Sequence, residues 1–197
     1  SEAGVVGLPN ASLPFAALAL FVGELHFWHW LTHGDGFHVT VGTVSELMET
    51  LRVCDPVCVK LLEELGQILH VRRFEALVFK KNAGKYVGNF NYRGHATLTR
   101  RADMLLLKAL GADRRTALDV FDQVQRLLAI NESAGEKSIP VEVKARCSKA
   151  QQDVSAERRV YRRVDQQLRE WFQLSEDELS HLLEADVVFD GPAGSGD

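Results

Sequence analysis

A series of helix start and stop signals constrains this fold more than any other feature of the sequence. Asp55-Pro56 is a strong start, because Asp caps the first turn and Pro needs no hydrogen bond at the first helical position. Gly111 is a natural helix end, and Asp113 can cap the helix that follows it. Ser175-x-x-Glu178 has the spacing of a capping box. These signals predict a chain that is mainly helical.

Apolar residues at helical spacing place the predicted helices between these signals. The helices cover residues 15–31, 44–53 after a Thr43-x-x-Glu46 capping box, a segment beginning at 56, a segment from about 98 or 101 to 111, 114–128, 141–172 and 176–184. Residues 74–79 and 86–92 alternate, and carry aromatic and β-branched side chains around Asn82-Ala83-Gly84, which predicts a hairpin.

The predicted fold class is therefore mainly α, a bundle of four or more helices with a small β-hairpin at one end. Residues 1–184 are expected to form a single helical-bundle domain, with residues 1–12 as an N-terminal arm. Residues 185–197, which are rich in glycine, are expected to form a flexible C-terminal tail.

Composition limits the class of protein. A hydrophobic share of 46% and a charged share of 25% are typical of a globular chain of 197 residues. No apolar run reaches the roughly 18 to 20 residues that a spanning helix needs, so we expect no membrane partner. Cys54, Cys58 and Cys147 are an odd number of cysteines, which favours reduced thiols and a cytosolic location. The start at Ser1 suggests that an initiator Met was removed or a precursor cleaved.

Positive charge is concentrated in the middle third of the chain. Residues 72–115 hold eleven basic and three acidic residues, a net charge of +8. The flanking segments, 1–71 and 116–197, each carry a net charge of −6. Such a swing is typical of a surface that binds a polyanion. The alternative is a charge match within the molecule, between the middle segment and its flanks.

The basic segment also combines cations with aromatic residues. Lysines and aromatic residues share the predicted hairpin, namely Lys80, Lys81, Lys85, Tyr86, Phe90 and Tyr92. Arginines follow near the ends of the next two helices, namely Arg93, Arg100, Arg101, Arg114 and Arg115. Cations neutralise phosphates, and aromatic faces stack bases without requiring a particular sequence. The alternative is that the aromatic residues are core and the lysines protect an exposed edge strand. We predict nucleic-acid contact, chiefly through the arginines.

A histidine cluster offers a different class of site. Glu24, His26, His29 and His33 fall close together, and the last two are one helical turn apart, a spacing that suits zinc. No second cluster accompanies them, and the interleaved aromatic residues favour histidines that are packed in the core. Cys54 and Cys58 stand at an i, i+4 spacing without a second pair, which favours two buried thiols over a zinc site.

Two runs in the basic segment resemble a known family. The runs Tyr92 to Leu98 (YRGHATL) and Leu105 to Gln123 (LLLKALGADRRTALDVFDQ) resemble the coat proteins of tobacco mosaic virus and related rod-shaped plant viruses. The resemblance extends over about Thr43 to Phe172. It includes an apolar helix that ends in a small-residue turn, then Asp with two arginines, a polar loop and a long arginine-rich helix.

The resemblance implies a structural protein that encloses single-stranded RNA in a helical rod of identical copies. Arg114 and Arg115 match the family's arginines that meet RNA phosphates, with Asp113 beside them. Asp119 and Asp122, with Glu132 or Glu136 in the polar loop, match carboxylates that repel between stacked copies. Like charges held close raise each other's pKa, so such clusters sense pH and calcium.

The sequence thus predicts a coat or nucleocapsid protein, located in the virion and the host cytoplasm. No catalytic residue and no cofactor are expected, because no complete catalytic motif occurs. The alternatives are a small helical metalloprotein or enzyme built on the histidine cluster, and a replicase cofactor released from a viral polyprotein.

Overall fold

The computed structural model describes residues 13–33, 41–82, 85–131 and 154–184. Within these ranges the chain is mainly helical, with a small two-stranded antiparallel sheet, which confirms the predicted fold class. The elements are α1 (Leu13–Phe21), α2 (Glu24–His33), α3 (Val41–Val53), α4 (Pro56–Val71), β1 (Leu77–Asn82), β2 (Lys85–Phe90), α5 (Ala96–Ala109), α6 (Arg114–Asn131), α7 (Val154–Phe172) and α8 (Glu176–Glu184). The arm at 1–12, the tail at 185–197 and the predicted helical segment 141–153 lie outside the described residues.

Three of the predicted helix starts are formed by the expected side chains. Asp55 accepts a hydrogen bond from the Val57 N–H at 2.7 Å and so caps α4. Asp113 accepts one from the Thr116 N–H at 2.8 Å and caps α6. The capping box before α8 is complete, because Glu178 N–H donates to the Ser175 hydroxyl and Ser175 N–H donates to the Glu178 carboxylate.

Several predicted boundaries were wrong. The strands predicted over 74–79 and 86–92 are β1 and β2, at Leu77–Asn82 and Lys85–Phe90. The single helix predicted over 15–31 is two helices, α1 and α2, which are separated at Val22 and Gly23. The cause is a residue far along the chain: Asp103 accepts hydrogen bonds from the N–H groups of Glu24 and Leu25, which gives α2 its own capped start. Helix α3 begins at Val41, before the capping box that was predicted to open it.

Helix α5 forms the centre of the core. Its residues from Leu98 to Leu107 are buried with one exception, Arg101. Helix α4 runs antiparallel to it, since Cys58 at the start of α4 contacts Leu105 while Tyr92, just before α5, donates to the Leu69 carbonyl. Helix α1 packs on α4 at Gly66, where a Cβ atom would lie 1.8 Å from the Phe15 carbonyl oxygen. Gly66 therefore sets this close approach.

Helix α7 runs parallel to α5, because Arg101 pairs with Asp165 and Lys108 lies over Trp171. The C-termini of α5 and α7 and the N-terminus of α6 therefore meet at one end of the bundle, which we call the turn end. Gly111, with a φ of +81°, reverses the chain there. The hairpin pairs Leu77 with Phe90 and lies beyond the opposite end of α5. No helix in the described ranges combines the length and the apolar character needed to cross a membrane.

Candidate nucleic-acid interface

Most arginines of the basic segment pair with carboxylates from the acidic flanks. The pairs are Arg72 with Glu157, Arg100 with Glu24, Arg101 with Asp165, and Arg114 with Glu178. Each carboxylate partner lies in one of the two flanking segments, 1–71 and 116–197, which carry a net charge of −6 each. The charge match within the molecule, which the sequence left open as an alternative, therefore accounts for much of the charge segregation.

Arg100 was predicted to contact RNA, but it is a structural residue of the interior. It is 5% exposed, and its guanidinium donates to the Glu24 carboxylate at 3.3 Å, the Leu183 carbonyl at 3.1 Å and the Gln125 side chain at 2.9 Å. Gln125 also donates to Glu24. These contacts tie α2, α5, α6 and α8 together, so phosphates cannot reach this side chain without disrupting the fold.

Arg101 is also engaged within the fold. It makes a two-bond ion pair with Asp165, at 2.7 and 2.9 Å, and lies over the Tyr161 ring at 4.7 Å. Its side chain is 13% exposed. The paired geometry holds α5 against α7. We therefore do not retain Arg100 or Arg101 in the candidate interface.

Other predicted residues fall where the structure gives no side-chain description. The side chain of Arg93 and those of the hairpin lysines Lys80, Lys81 and Lys85 lie outside the described set. Glu132 and Glu136 lie in the segment 132–153, which the structure does not describe. Their predicted roles stay predictions.

An open groove of about 720 Å³ lies at the turn end. Its walls come from the end of α5, the turn, the start of α6 and the end of α7. The lining residues that matter for binding are Lys108, Asp113, Arg114, Arg115, Asp119 and Trp171. The groove thus contains both predicted arginines of the α6 start, together with a third cation and an aromatic ring.

The cations of the groove remain accessible to solvent. Arg115 is 91% exposed and makes an ion pair with Asp119, one helical turn further along α6, at 3.8 Å. Arg114 is about half exposed and pairs with Glu178, which is equally exposed. Lys108 places its ammonium 6.0 Å from the centre of the Trp171 ring. Solvent screens exposed ion pairs of this kind and leaves them weak, so an incoming anion can compete with the carboxylates.

Asp113 has a structural task in the groove. Its carboxylate accepts hydrogen bonds from Thr116, which lowers the pKa of Asp113 below its ordinary value. The ionised cap holds the first turn of α6, the turn that carries Arg114 and Arg115. Asp113 therefore positions the two arginines, and its negative charge is committed to the helix start.

Comparison of the chain with protein-family models, with curated proteins and with solved structures finds no match.

The predicted assembly carboxylates lie on α6 beside arginines of the same helix. Asp119 pairs with Arg115, and Asp122 pairs with Arg126 at 2.7 Å. The carboxylates are 63% and 59% exposed. They are available to a neighbouring molecule, while each already has a cation one turn away.

The described members of the histidine cluster have different partners within the fold. Glu24 is bound to Arg100 and Gln125, while His26 is buried against the Phe21 ring at 4.6 Å. His29 is half-buried, and the side chain of His33 lies outside the described set. Across residues 13–33, 41–82, 85–131 and 154–184, no three His, Cys, Asp or Glu side chains are grouped so as to hold a metal ion.

Sequence reasoning missed Lys108 and Trp171 as parts of the candidate interface. Lys108 stands shortly before Gly111 on the helix that leads into the turn, so its closeness to Arg114 could have been inferred from the predicted reversal. Trp171 could not, because it lies far along the chain and reaches the groove only through the parallel packing of α7 on α5.

Proposed function

We propose that this protein is a structural, RNA-binding coat or nucleocapsid protein that assembles into a helical rod around single-stranded RNA. The observation that carries the proposal is the groove at the turn end, where Lys108, Arg114 and Arg115 meet the ring of Trp171. The resemblance of Leu105 to Gln123 to rod-shaped virus coat proteins supports the same assignment. The proposal places the protein in the virion and the host cytoplasm, without catalysis and without a cofactor.

The chemistry of the groove suits a single strand. Arginine side chains recognise phosphate through paired N–H donors, and Arg114 and Arg115 stand side by side in the first turn of α6. Trp171 offers a ring on which a base of any identity can stack. A duplex keeps its bases stacked on one another, so only a single strand can use both the cations and the ring.

Self-assembly would place exposed carboxylates of neighbouring copies close together. Asp119 and Asp122 are the candidates in the described part of the chain, and Glu132 and Glu136 are the candidates in the polar loop. Ionised carboxylates that face one another repel, so rods would form more readily at pH 5 than at pH 8.

The RNA assignment is tested by replacing Arg114 and Arg115 together with alanine. Binding of a fluorescent uridine homopolymer is measured by anisotropy over a series of salt concentrations. If each arginine neutralises one phosphate, the slope of log K against log salt falls by about 1.4, at roughly 0.7 for each phosphate of a single strand.

The matched control is the double variant Arg158→Ala, Arg159→Ala, which removes the same charge from exposed positions on α7. The control is expected to bind RNA nearly as the unaltered protein does. An equal loss of binding in both double variants would show that net charge, not the groove, holds the RNA, and would overturn the assignment of the site.

The rod assignment is tested by electron microscopy of the purified protein at pH 5 and pH 8, with and without RNA. Rods or discs are expected at pH 5 and, with RNA, at pH 8. A protein that stays monomeric under all four conditions would contradict the assembly proposal.

A further inference from the structure

Four exposed arginines lie close together on the outer side of α7. They form two pairs at a spacing of four residues, about one helical turn, namely Arg158 with Arg162 and Arg159 with Arg163. Side chains at this spacing share a face of the helix, so each pair places like charges side by side, which is unfavourable for the helix itself. We call these four residues the basic stripe.

The carboxylates of α7 do not neutralise the basic stripe. Glu157 is buried and pairs with Arg72, and Asp165 pairs with Arg101 on α5. Glu170 accepts hydrogen bonds from two glutamines of its own helix. Of the stripe itself, Arg163 pairs with Glu64 at 2.6 Å. The other three arginines have no ion pair within the part of the chain that the structure describes.

Helix α8 carries an excess of the opposite charge. It contains no lysine or arginine, and four of its residues are exposed acids, which we call the acidic face: Glu176, Asp177, Glu178 and Glu184. Glu176 and Glu178 form exposed pairs with arginines, whereas Asp177 and Glu184 have no ion pair among the described residues. Glu184 lies in the last turn, where a negative charge is unfavourable for the helix. Local helix stability therefore does not account for the acidic face.

The two charged surfaces belong to one molecule but do not neutralise each other within it. Residues 173–175 connect α7 to α8, and the ion pair between these helices, Arg169 with Glu176, lies at that connection and outside the basic stripe. In the described ranges no ion pair joins the stripe to the acidic face. Two complementary surfaces that do not meet within one molecule can meet between two copies.

We propose that the basic stripe of one copy docks on the acidic face of a second copy. The contact joins two different surfaces, so each pair of copies keeps one stripe and one acidic face for further copies. Such head-to-tail contacts generate closed rings or open helical filaments. The inference rests on the self-assembly in the proposed function, and it names the surfaces through which the copies associate.

An acidic protein surface fits the basic stripe better than a single strand of RNA does. The ring within the stripe, Tyr161, is half-buried, and Arg101 lies over it at 4.7 Å. Bases therefore lack a free ring on which to stack there. The stripe also lies roughly 12 Å or more along the axis of α7 from Trp171 in the groove. The groove and the stripe are thus separate surfaces with different chemistry.

The test reverses each surface in the full chain and then mixes the two variants. Arg158→Glu with Arg162→Glu makes the stripe acidic, and Asp177→Lys with Glu184→Lys makes the acidic face basic. Sedimentation velocity without RNA at pH 7 measures association as salt rises from about 20 to about 300 mM. The unaltered protein is expected to associate at low salt and to separate at high salt. Each variant alone is expected to associate about tenfold more weakly or less, because like charges then face each other. An equimolar mixture is expected to regain association, because every contact between unlike variants is again complementary.

The matched control is Arg52→Glu with Lys60→Glu, which makes the same change in net charge at exposed positions on α3 and α4. It is expected to associate as the unaltered protein does, and circular dichroism checks that all variants are folded. A stripe variant that associates as well as this control, or a mixture that does not regain association, would overturn the proposal.

Binding of a uridine oligomer short enough for one copy separates this interface from RNA contact. The stripe variant is expected to bind the oligomer as the control variant does. A loss as large as that of Arg114→Ala with Arg115→Ala would assign the stripe to RNA and overturn the docking proposal. Rods that form equally well from the stripe variant would also overturn it and would leave the proposed function standing. An unaltered protein that stays monomeric in both sedimentation and electron microscopy would contradict the two together.

Discussion

Arg100 and Arg115 belong to the same basic segment of the sequence, yet they lie in opposite surroundings. Arg100 is 5% exposed and is bound by Glu24, Gln125 and the Leu183 carbonyl. The side chain of Arg115 is 91% exposed and makes an ion pair with Asp119 at 3.8 Å on the surface of α6. The first arginine joins four helices, and the second faces an open groove. The basic segment therefore contains buried arginines that stabilise the fold and exposed arginines that can bind a ligand. The burial of each side chain distinguishes the two kinds.

In the interior, Arg100 belongs to a network of hydrogen bonds and charges around Asp103. This carboxylate is fully buried and caps α2 through the N–H groups of Glu24 and Leu25, at 2.8 and 3.3 Å. Burial and the nearby Glu24 charge raise the pKa of Asp103 well above its ordinary value, although the backbone hydrogen bonds and Arg100 oppose the shift. Arg100 is the cation that two neighbouring carboxylates share. The network depends on that one side chain.

The largest expected effect comes from Arg100→Ala. The substitution leaves Glu24 and Asp103 without their cation in the interior, and losing one partner of a buried pair costs about 3–5 kcal/mol of unfolding free energy. Urea denaturation followed by circular dichroism measures this change. Arg115→Ala is the control and should stay within about 0.5 kcal/mol of the unaltered protein. Similar losses of unfolding free energy in both variants would show that Arg100 contributes no more to the fold than the exposed Arg115 does.

A smaller loss is expected from Gly23→Ala, which tests the packing of the same network. An added Cβ atom at Gly23 would lie 2.1 Å from the Asp103 Oδ1 atom, so the cap of α2 would have to move. Overpacking of this kind costs about 1–3 kcal/mol. Gly94→Ala is the matched control, since nothing lies within 4 Å of a Cβ atom there. If urea midpoints of the two variants agree, Asp103 does not hold α2 as described.

Local signals in the sequence were sufficient for much of the fold. Asp55, Asp113 and Ser175 each act on N–H groups two or three residues away, so the helix starts they form are visible in the chain itself. The break at Gly23 was not visible, because the cap comes from Asp103 on another helix. The sequence around Gly23 gives no indication that the Asp103 carboxylate packs against this position in the fold.

The same distinction applies to the candidate site. Arg114 and Arg115 could be placed from the Gly111 turn and the Asp113 cap, which are their neighbours in sequence. Arg100 was misassigned because its partners, Glu24 and Gln125, are distant in the chain, and nothing in residues 96–109 marks it as buried except its position among apolar residues. Helix periodicity gives a face for each side chain. Helix periodicity does not identify the polar groups that a neighbouring helix brings to that face.

The smallest expected effect concerns His26, which shares α2 with Glu24. It is 8% exposed, and its Nε2 atom has no hydrogen-bond partner among the described residues. Burial, aided by the charge of His29, lowers the pKa of His26 in the folded chain below 6.5. The unfolded chain therefore takes up a proton first as pH falls below about 6.5, and folding stability declines until the folded pKa is passed.

Substituting His26→Phe removes this proton uptake and keeps a ring against Phe21. The unfolding free energies of the variant and the unaltered protein are measured by urea denaturation at pH 7.5 and pH 5.5. The unfolding free energy of the variant is expected to rise relative to that of the unaltered protein at pH 5.5, because the variant has no His26 to take up a proton on unfolding. Asp103 and His95 also have shifted pKa values, but they titrate in both proteins, so their contributions cancel in the difference. A difference that does not change with pH would mean that His26 is solvated in the folded chain, and that the interior region is less dry than its burial indicates.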